Sequence, residues 1–343
     1  MTGPTTTRAT RPCLAIVPGD PSGVGPEMAV KLLAREANRH AADLLLIADP
    51  AVLRSGERFA GASLPLTRID DLAALRREPG RVHWLALEGL GDEVPALGAS
   101  SASSGRAALA ALTAAADAVR AGVAQGIVFA PLNKHSLRMG GMTQEDELRY
   151  LAEHFELNSA VCEFNITGAL WTSRVSSHVP LSQVAALVTQ PAVKQAVHIL
   201  HAALVRAGIA APRIAVSGLN PHAGDGGSIG REEIEVIEPA VQALRAQGLD
   251  VRGPFSPDTV FVTARRGDFD AVVSMYHDQG QIAMKLMGFE SGVTLHGGLP
   301  VPVATPASGS AFDIAGQGVA RIDGLQAAFD LCVRMAATDL GST

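Results

Sequence analysis

The sequence predicts an α/β fold, because short apolar segments alternate with alanine-rich segments of helical character along the chain. Hydrophobic residues make up 47% of the 343 residues and charged residues only 18%, which allows a large core and about two domains. Aromatic residues contribute 4%, so this core must consist mainly of Ala, Val, Leu and Ile. We find no internal repeat.

Short segments rich in Val, Ile and Leu are predicted as β-strands, because each ends in a loop. They are residues 14–17, 44–48, 82–85, 127–129, 213–216 and 271–275. Residues 107–121 and 325–338 are predicted as helices, since they contain few helix-breaking residues. The stretch between 130 and 212 is predicted as a long, polar, helix-rich section.

Four loops that follow predicted strands are crowded with Gly, Pro and reactive side chains. They are residues 18–27, 130–136, 217–227 and 275–280. Gly, Pro, Asn and Asp form turns in any protein, but turn formation does not require the His or Lys that three of these loops contain. Because open parallel sheets bind ligands at the carboxyl ends of their strands, we expect one composite site at one sheet edge.

The composition and charge exclude several classes of partner. A net charge of −6 without a basic stripe predicts no nucleic-acid binding, and no apolar run is long enough to predict a membrane span. The three cysteines are far apart, so neither a disulfide framework nor a cysteine zinc site is predicted. Residues 1–12 are polar and lack an apolar signal core, and we therefore expect a frayed tail and a cytoplasmic protein.

His178, His222 and His277 lie in or beside loops of this kind. Three neutral imidazoles from separate loops could bind a divalent transition metal and leave positions open for substrate, although their spacing matches no local zinc motif. Lys134 and Lys285 are the candidate cationic partners, because a desolvated lysine near a metal can act as general acid or base. Solvated surface lysines are the alternative. The other histidines considered are predicted to lie on the surface or in packing positions: His40, His83, His154, His198, His201 and His296.

Several motifs occur in an order that resembles the 4-hydroxythreonine-4-phosphate dehydrogenase family. They are IVPGDPSGVGPE, PLNK, SHVPL, SGLNPHAGDGG, GPFSPDT, MYHDQG and SGSAFDIAGQG, and the resemblance extends from about residue 14 to about residue 335. The last motif is also similar to the nucleotide loop of isocitrate and isopropylmalate dehydrogenases. It is not a Rossmann fingerprint, since it lacks the GxGxxG pattern.

The resemblance implies an isopropylmalate dehydrogenase-like fold, with two α/β domains and an active-site cleft between them. Residues 1–130 plus about 268–343 would form the first domain, with the nucleotide-binding loop. Residues from about 131 to 267 would form the second, with metal ligands and dimer contacts. A homodimer with the active site near its interface is implied as well.

The resemblance also implies a dehydrogenase that oxidises a secondary alcohol β to a carboxylate, followed by decarboxylation of a small hydroxy acid. A divalent metal (Zn, Mg, Mn or Co) would be bound by His178, His222 and His277. NAD or NADP would be held by residues of the loop near 308–318, namely Ser308, Gly309, Ser310, Asp313, Gly316 and Gly318. Lys285 and Asp258 match family site residues, and with Lys134 they are the predicted catalytic residues. The predicted substrate contacts are Glu145, Asp146, Thr294 and Asn220.

The sequence departs from the family pattern where phosphate is recognised. Residues 144–147, Gln-Glu-Asp-Glu, stand where the family has Gly-His-Thr-Glu, and Thr294, Val303 and Ser308 replace Asn, Arg and His. These changes remove phosphate donors and add negative charge, although Arg149 or Arg174 could supply a cation for a carboxylate. We therefore predict a non-phosphorylated substrate, as in the terephthalate cis-dihydrodiol dehydrogenase branch. The alternatives are a 4-hydroxythreonine-4-phosphate dehydrogenase of pyridoxal phosphate biosynthesis, and a non-catalytic metal- or nucleotide-binding sensor.

Overall fold

The fold is built on one twelve-stranded β-sheet. It was analysed in a computed structural model that describes residues 11–90, 95–288 and 290–341. The strands are β1 (Cys13–Val17), β2 (Asp43–Ala48), β3 (Leu66–Ile69), β4 (Val82–Ala86), β5 (Gly126–Phe129), β6 (Cys162–Thr167), β7 (Leu170–Arg174), β8 (Ile214–Ser217), β9 (Val251–Phe255), β10 (Ala271–Ser274), β11 (Val293–Gly297) and β12 (Val303–Pro306).

Helices connect most of the strands and cover both faces of the sheet. They are α1 (Gly25–Ala34), α2 (Glu36–Ala41), α3 (Pro50–Ala60), α4 (Ala102–Arg120), α5 (Lys134–Met139), α6 (Glu147–His154), α7 (Leu181–Leu187), α8 (Gln190–Arg206), α9 (Glu238–Ala246), α10 (Pro257–Arg265), α11 (His277–Gly288) and α12 (Asp323–Gly341). All of β1, β2 and β5 is buried, as expected for strands with helices on either side.

The strands reverse direction in the middle of the sheet. Its strand order is β3-β4-β2-β1-β5-β12-β11-β6-β7-β10-β8-β9. The six strands from β3 to β12 run parallel to one another, and so do the four strands from β7 to β9. The pairs β12–β11, β11–β6 and β6–β7 are antiparallel, so the two parallel groups run in opposite directions.

This reversal corrects the expectation that four polar loops share one edge of the sheet. The loops after β1 and β5 follow strands of one direction, whereas the loops after β8 and β10 follow strands of the other. The assumption of a uniformly parallel sheet is therefore wrong. Loops of the two pairs nevertheless meet, because Lys134 after β5 and His277 after β10 line one cavity.

The predicted strands and helices are present, with ends that differ by a few residues. The exception is the section between 130 and 212, which contains the hairpin of β6 and β7 as well as helices. The mixed α/β fold is thus confirmed, with a sheet that is mostly parallel.

The two-domain division stays a prediction, because one continuous sheet does not by itself define a boundary. The strands nonetheless group differently from the predicted ranges: β10 and β11 pair with strands of residues 162–217, and only β12 returns to β5. Residues 1–10 of the predicted tail lie outside the described residues. In the described part of the chain, no helix is both long and apolar enough to cross a bilayer.

Candidate active site

Helix α11 presents a polar row to one face of the sheet. His277, Gln281 and Lys285 are four residues apart, so they lie one above the other on the same side of the helix. All three line a cavity of about 290 Å³. The MYHDQG motif and its following lysine therefore mark one helix face.

Strands β6 and β11 and the start of α5 complete the walls of this cavity. Glu163 and Asn165 point into it from β6, Thr294 from β11, and Lys134 from the first turn of α5. Lys134 and Lys285 thus face the same space although they come from the two oppositely directed parts of the sheet. Of the predicted site residues, the structure brings together Lys134, Lys285, Thr294 and His277 here.

The acidic group in the cavity wall is already paired. Glu163 accepts a hydrogen bond from Arg174 Nη2 at 2.7 Å, and Arg174 is only 8% exposed. Burial alone would raise the pKa of Glu163, but the nearby positive charges of His296 and then Arg174 and Lys134 lower it. Burial lowers the pKa of His296, which leaves Arg174 as the permanent counter-charge. Because Glu163 is paired with Arg174, the two lysines of the cavity wall, Lys134 and Lys285, are the groups there that suit an anionic ligand.

His178 and His277 lie side by side next to the cavity. Their ring centroids are 5.4 Å apart. His178 Nδ1 is 2.8 Å from Glu145 Oε1, and His277 Nδ1 is 2.7 Å from Asp278 Oδ1. A carboxylate on Nδ1 fixes the ring and leaves Nε2 as the ligand atom, which is the usual arrangement around metal-binding histidines. The donor set of these two rings therefore fits a divalent transition metal.

His222 lies apart from this pair. Among the described residues, one group of three has its potential metal-ligand atoms within 4.8 Å of one another, namely Glu145, Asp146 and His178. The three predicted histidines do not form such a group. Asp146 in that group is fully buried and is held by Arg149 Nη1 at 2.7 Å. The structure therefore assembles two of the three predicted imidazoles within one chain.

Asp258 accompanies His222 rather than the cavity. Its carboxylate accepts a hydrogen bond from Ser256 Oγ at 2.6 Å, which lowers the pKa of Asp258, and the charge of His222 adds a smaller effect of the same sign. Both residues are exposed. They form a second polar surface, at the end of the loop after β8 and the start of α10.

The loop after β8 has a strained backbone. His222, Ala223 and Asp225 have φ angles of 52°, 53° and 46°, values that side chains other than glycine rarely adopt. Glu233 stabilises the loop by accepting the backbone N–H of Asn220 at 2.7 Å. The Asn220 side chain donates to Glu232 and Glu233, so its present contacts position the loop instead of lining the cavity.

The loop of residues 308–320 is held against α1 by a partly buried ion pair. Lys31 Nζ donates to Glu27 Oε1 at 2.7 Å and to the carbonyl of Gly318 at 2.8 Å, while the backbone N–H of Ala320 also donates to Glu27. At the other end, the N–H of Val24 donates to the carbonyl of Ser310. The motif after β1 thus anchors this loop at both ends.

The predicted cofactor residues differ in their surroundings. Gly316 and Gly318 have φ angles of 79° and 75°, and a Cβ on Gly316 would lie 2.6 Å from Leu97 Cδ1. Gly309 has open space around it. Ser308 is partly exposed, Ser310 is buried and Asp313 is exposed. Glycine is therefore required at 316 and 318 by backbone conformation, independently of any ligand.

We expect the G316V variant to raise the KM for NAD about tenfold or more, because valine disfavours a positive φ and displaces Leu97 from the loop. The KM for the cofactor and the melting temperature should be measured together. G89A is the control, since its Cβ meets no atom within 4 Å and it lies outside the predicted cofactor loop. An unchanged cofactor KM in G316V would argue against a cofactor at this loop.

The fold is shared with oxidative enzymes. A β-decarboxylating dehydrogenase (TK0280) from Thermococcus kodakarensis superposes with a TM-score of 0.50 at 15% identity, covering 92% of this chain and 81% of that one. This likeness concerns the α/β fold alone. The cavity and its flanking imidazoles lie at a face of this mixed sheet, so fold and site together define an α/β protein with a polar ligand cavity. The chain belongs to the family described as pyridoxal phosphate biosynthetic protein PdxA, whose model matches residues 40–332.

Relatives support this membership over nearly the whole chain. A Pseudomonas aeruginosa protein, provisionally named 4-hydroxythreonine-4-phosphate dehydrogenase 2, is 51% identical over 330 residues, covering 94% of this chain and 97% of its own. The 4-hydroxythreonine-4-phosphate dehydrogenase of Beijerinckia indica is 40% identical, covering 94% of each chain. The Klebsiella pneumoniae crystal structure of that name has a TM-score of 0.81 at 32% identity, covering 95% and 100%.

The prediction of a terephthalate dihydrodiol substrate is wrong. The terephthalate 1,2-cis-dihydrodiol dehydrogenase from Burkholderia xenovorans LB400 is less similar, with a TM-score of 0.67 at 30% identity over 94% of this chain and 98% of its own. The structure also removes the reasoning behind the prediction. Val303 is fully buried in β12, so it does not replace a phosphate ligand in the cavity. Asp146 caps α6, and Glu145 holds His178, so neither carboxylate lines the cavity wall.

Sequence reasoning missed Glu163, Asn165 and Gln281 as site residues. The segment CEFNIT of β6 alternates polar and apolar side chains, so residues 163 and 165 share one face. Gln281 lies midway between His277 and Lys285 on the helix. The sequence contained both patterns. Residues 163 and 165 are two apart, as on one face of a strand, and Gln281 is four residues from both His277 and Lys285, as on one face of a helix.

Proposed function

We propose that the protein is a metal- and NAD-dependent dehydrogenase that oxidises the secondary alcohol of a phosphorylated hydroxy acid, with 4-hydroxythreonine 4-phosphate as the substrate to test first. The observation that carries the proposal is the cavity in which Lys134 and Lys285 face His277. Phosphate and carboxylate are the groups that two lysines bind best. The names of the relatives supply the particular substrate.

Each part of the site has a role in this reaction. Lys134 and Lys285 bind the anionic groups of the substrate and orient its hydroxyl toward the histidines. His178 and His277 hold the metal through Nε2, with Glu145 and Asp278 fixing their rings. When bound, a divalent cation supplies Lewis-acid polarisation of the substrate oxygen.

A bound NAD would accept the hydride of the carbinol carbon, and the hydroxyl proton would be released. The product would be a keto acid whose carbonyl is β to the carboxylate. A β-keto acid can lose CO₂, and protonation of the carbon that held the carboxylate would complete that step. The loop of residues 308–320 would hold the adenosine end of the cofactor.

We further propose that the protein acts as a homodimer and that His222 of one chain completes the metal site of the other. Within one chain His178 and His277 are adjacent, whereas His222 lies with Asp258 on an exposed loop. The exposure of His222 leaves its ring accessible to a second copy of the chain. Asp258 would accompany it to the site.

The proposal is tested by steady-state kinetics with 4-hydroxythreonine 4-phosphate and with 4-hydroxythreonine, each with NAD or NADP and a divalent metal. Two charge-assisted hydrogen bonds contribute about 3 kcal/mol, so kcat/KM should favour the phosphorylated substrate by roughly a hundredfold. Addition of a chelator should abolish turnover. Equal turnover of both substrates, or none of the phosphorylated one, would contradict the proposal.

A further inference from the structure

The side-chain amide of Asn165 lies in the cavity wall, in the middle of β6. It is partly buried, and its strand neighbours Phe164 and Ile166 point into the core on the other face. An amide in a ligand cavity can serve either as a donor or as an acceptor. Its role depends on which of its two ends faces the ligand.

The neighbours of Asn165 determine that orientation. Arg174 Nη1 lies 3.1 Å from Oδ1 of Asn165, and Gln281 Nε2 lies 2.6 Å from the same oxygen. A guanidinium and an amide nitrogen can only donate, so the atom that faces them must be the carbonyl oxygen. The NH₂ group is thereby turned toward Thr294, with Nδ2 at 3.4 Å from its Oγ1.

Arg174 is itself fixed and does not compete for the ligand. Its guanidinium donates to Glu163 at 2.7 Å and to Ser177 Oγ at 2.9 Å, besides Asn165. Its charge is balanced by Glu163. Arg174 is therefore a positioning residue, whose contribution passes through the amide of Asn165.

We infer that Asn165 is a specificity-determining residue, whose NH₂ group donates to an anionic oxygen of the substrate bound by Lys134 and Lys285. The inference rests on the proposed function. A donor that cannot rotate into an acceptor selects a group with lone pairs only, such as phosphate or carboxylate. An ammonium or an amide donor at this position would meet the same N–H and be rejected.

The deciding variant is N165D, which is isosteric. It keeps the oxygen that Arg174 and Gln281 require, and it replaces the NH₂ group by a second, negatively charged oxygen. We expect the KM for 4-hydroxythreonine 4-phosphate to rise at least thirtyfold, with kcat changed less than threefold and the KM for NAD unchanged. A purely structural role would not raise the KM for this substrate while leaving kcat and the KM for NAD nearly unchanged. N158D is the matched control, because Asn158 is exposed in a loop and gains the same charge.

A second variant keeps the inference testable if N165D does not fold. N165S shortens the side chain without adding charge, and it should raise the same KM about tenfold. Kinetics with 4-hydroxythreonine identify the group that is bound. If the KM of the variants is still raised for this substrate, which lacks the phosphate, the contact is to the carboxylate. If the KM for 4-hydroxythreonine equals that of the wild type, the contact is to the phosphate.

Binding of inorganic phosphate, measured by titration calorimetry on the purified protein without cofactor, separates this inference from the proposed function. If the wild type fails to oxidise 4-hydroxythreonine 4-phosphate, the proposed function fails, but a tenfold weaker phosphate affinity in N165D still supports the donor role. Equal phosphate affinity and equal KM in wild type and both variants would overturn the inference.

Discussion

The H277A variant is expected to lose about a thousandfold in metal-dependent kcat/KM. His277 faces His178 with ring centroids 5.4 Å apart, and it also lines the cavity that holds both lysines. Lewis-acid catalysis contributes several kcal/mol, and each 1.36 kcal/mol corresponds to a factor of ten in rate. The metal content of the purified variant, measured by mass spectrometry, should fall in parallel.

H178A and H222A should reproduce both losses if all three imidazoles share one ion. H198A is the control, because His198 lies on α8 and lines a separate cavity. The metal measurement does not depend on knowing the substrate. Full metal occupancy in H277A, with activity retained, would exclude His277 as a ligand.

The G105A variant is expected to lose about 3 kcal/mol in the free energy of unfolding. A Cβ at position 105 would lie 1.8 Å from the carbonyl oxygen of Ser136 and 2.9 Å from the backbone nitrogen of Gly140. Both atoms are main chain, so no side-chain rotation relieves the clash. Helix α5 must move away from α4, and Lys134 at its first turn must move with it.

Thermal unfolding should show this as a drop of roughly 4 °C in Tm. The KM of the phosphorylated substrate should also rise, because Lys134 leaves its place opposite Lys285. G89A serves as the control, since its Cβ would meet no atom within 4 Å and its φ is not positive. A G105A protein with wild-type Tm would show that the two helices are less closely packed than described.

The extent to which the fold could be predicted depended on the type of strand. Strands such as β1 and β10 are buried along their whole length and are continuous apolar runs, which were recognisable. Strand β6 alternates Glu163 and Asn165 with buried residues, and it was taken as part of a helical section. The direction of each strand was not predictable, because pairing between β11, β6 and β12 joins segments far apart in the sequence.

The candidate site was predictable where its residues are reactive and lie in motifs. His178, His277, Lys134 and Lys285 were identified, and they surround one region of the structure. The error about the substrate arose because the location of residue 303 in the fold was not known. Val303 was treated as a lost phosphate ligand, although β12 is buried on both faces and Val303 is fully enclosed in the core. Burial of single residues is a tertiary property, and motif comparison does not supply it.

The return of β12 to the side of β5 has a consequence for biosynthesis. Val303 pairs with Ile127, and α12 packs on both strands, so one edge of β5 stays unpaired until the last part of the chain has been made. The amino-terminal strands therefore cannot finish folding while the ribosome is still elongating. Native assembly must be largely post-translational and slow, since it depends on contacts of very high sequence separation. During that interval the open edge of β5 is a potential site of incorrect strand pairing.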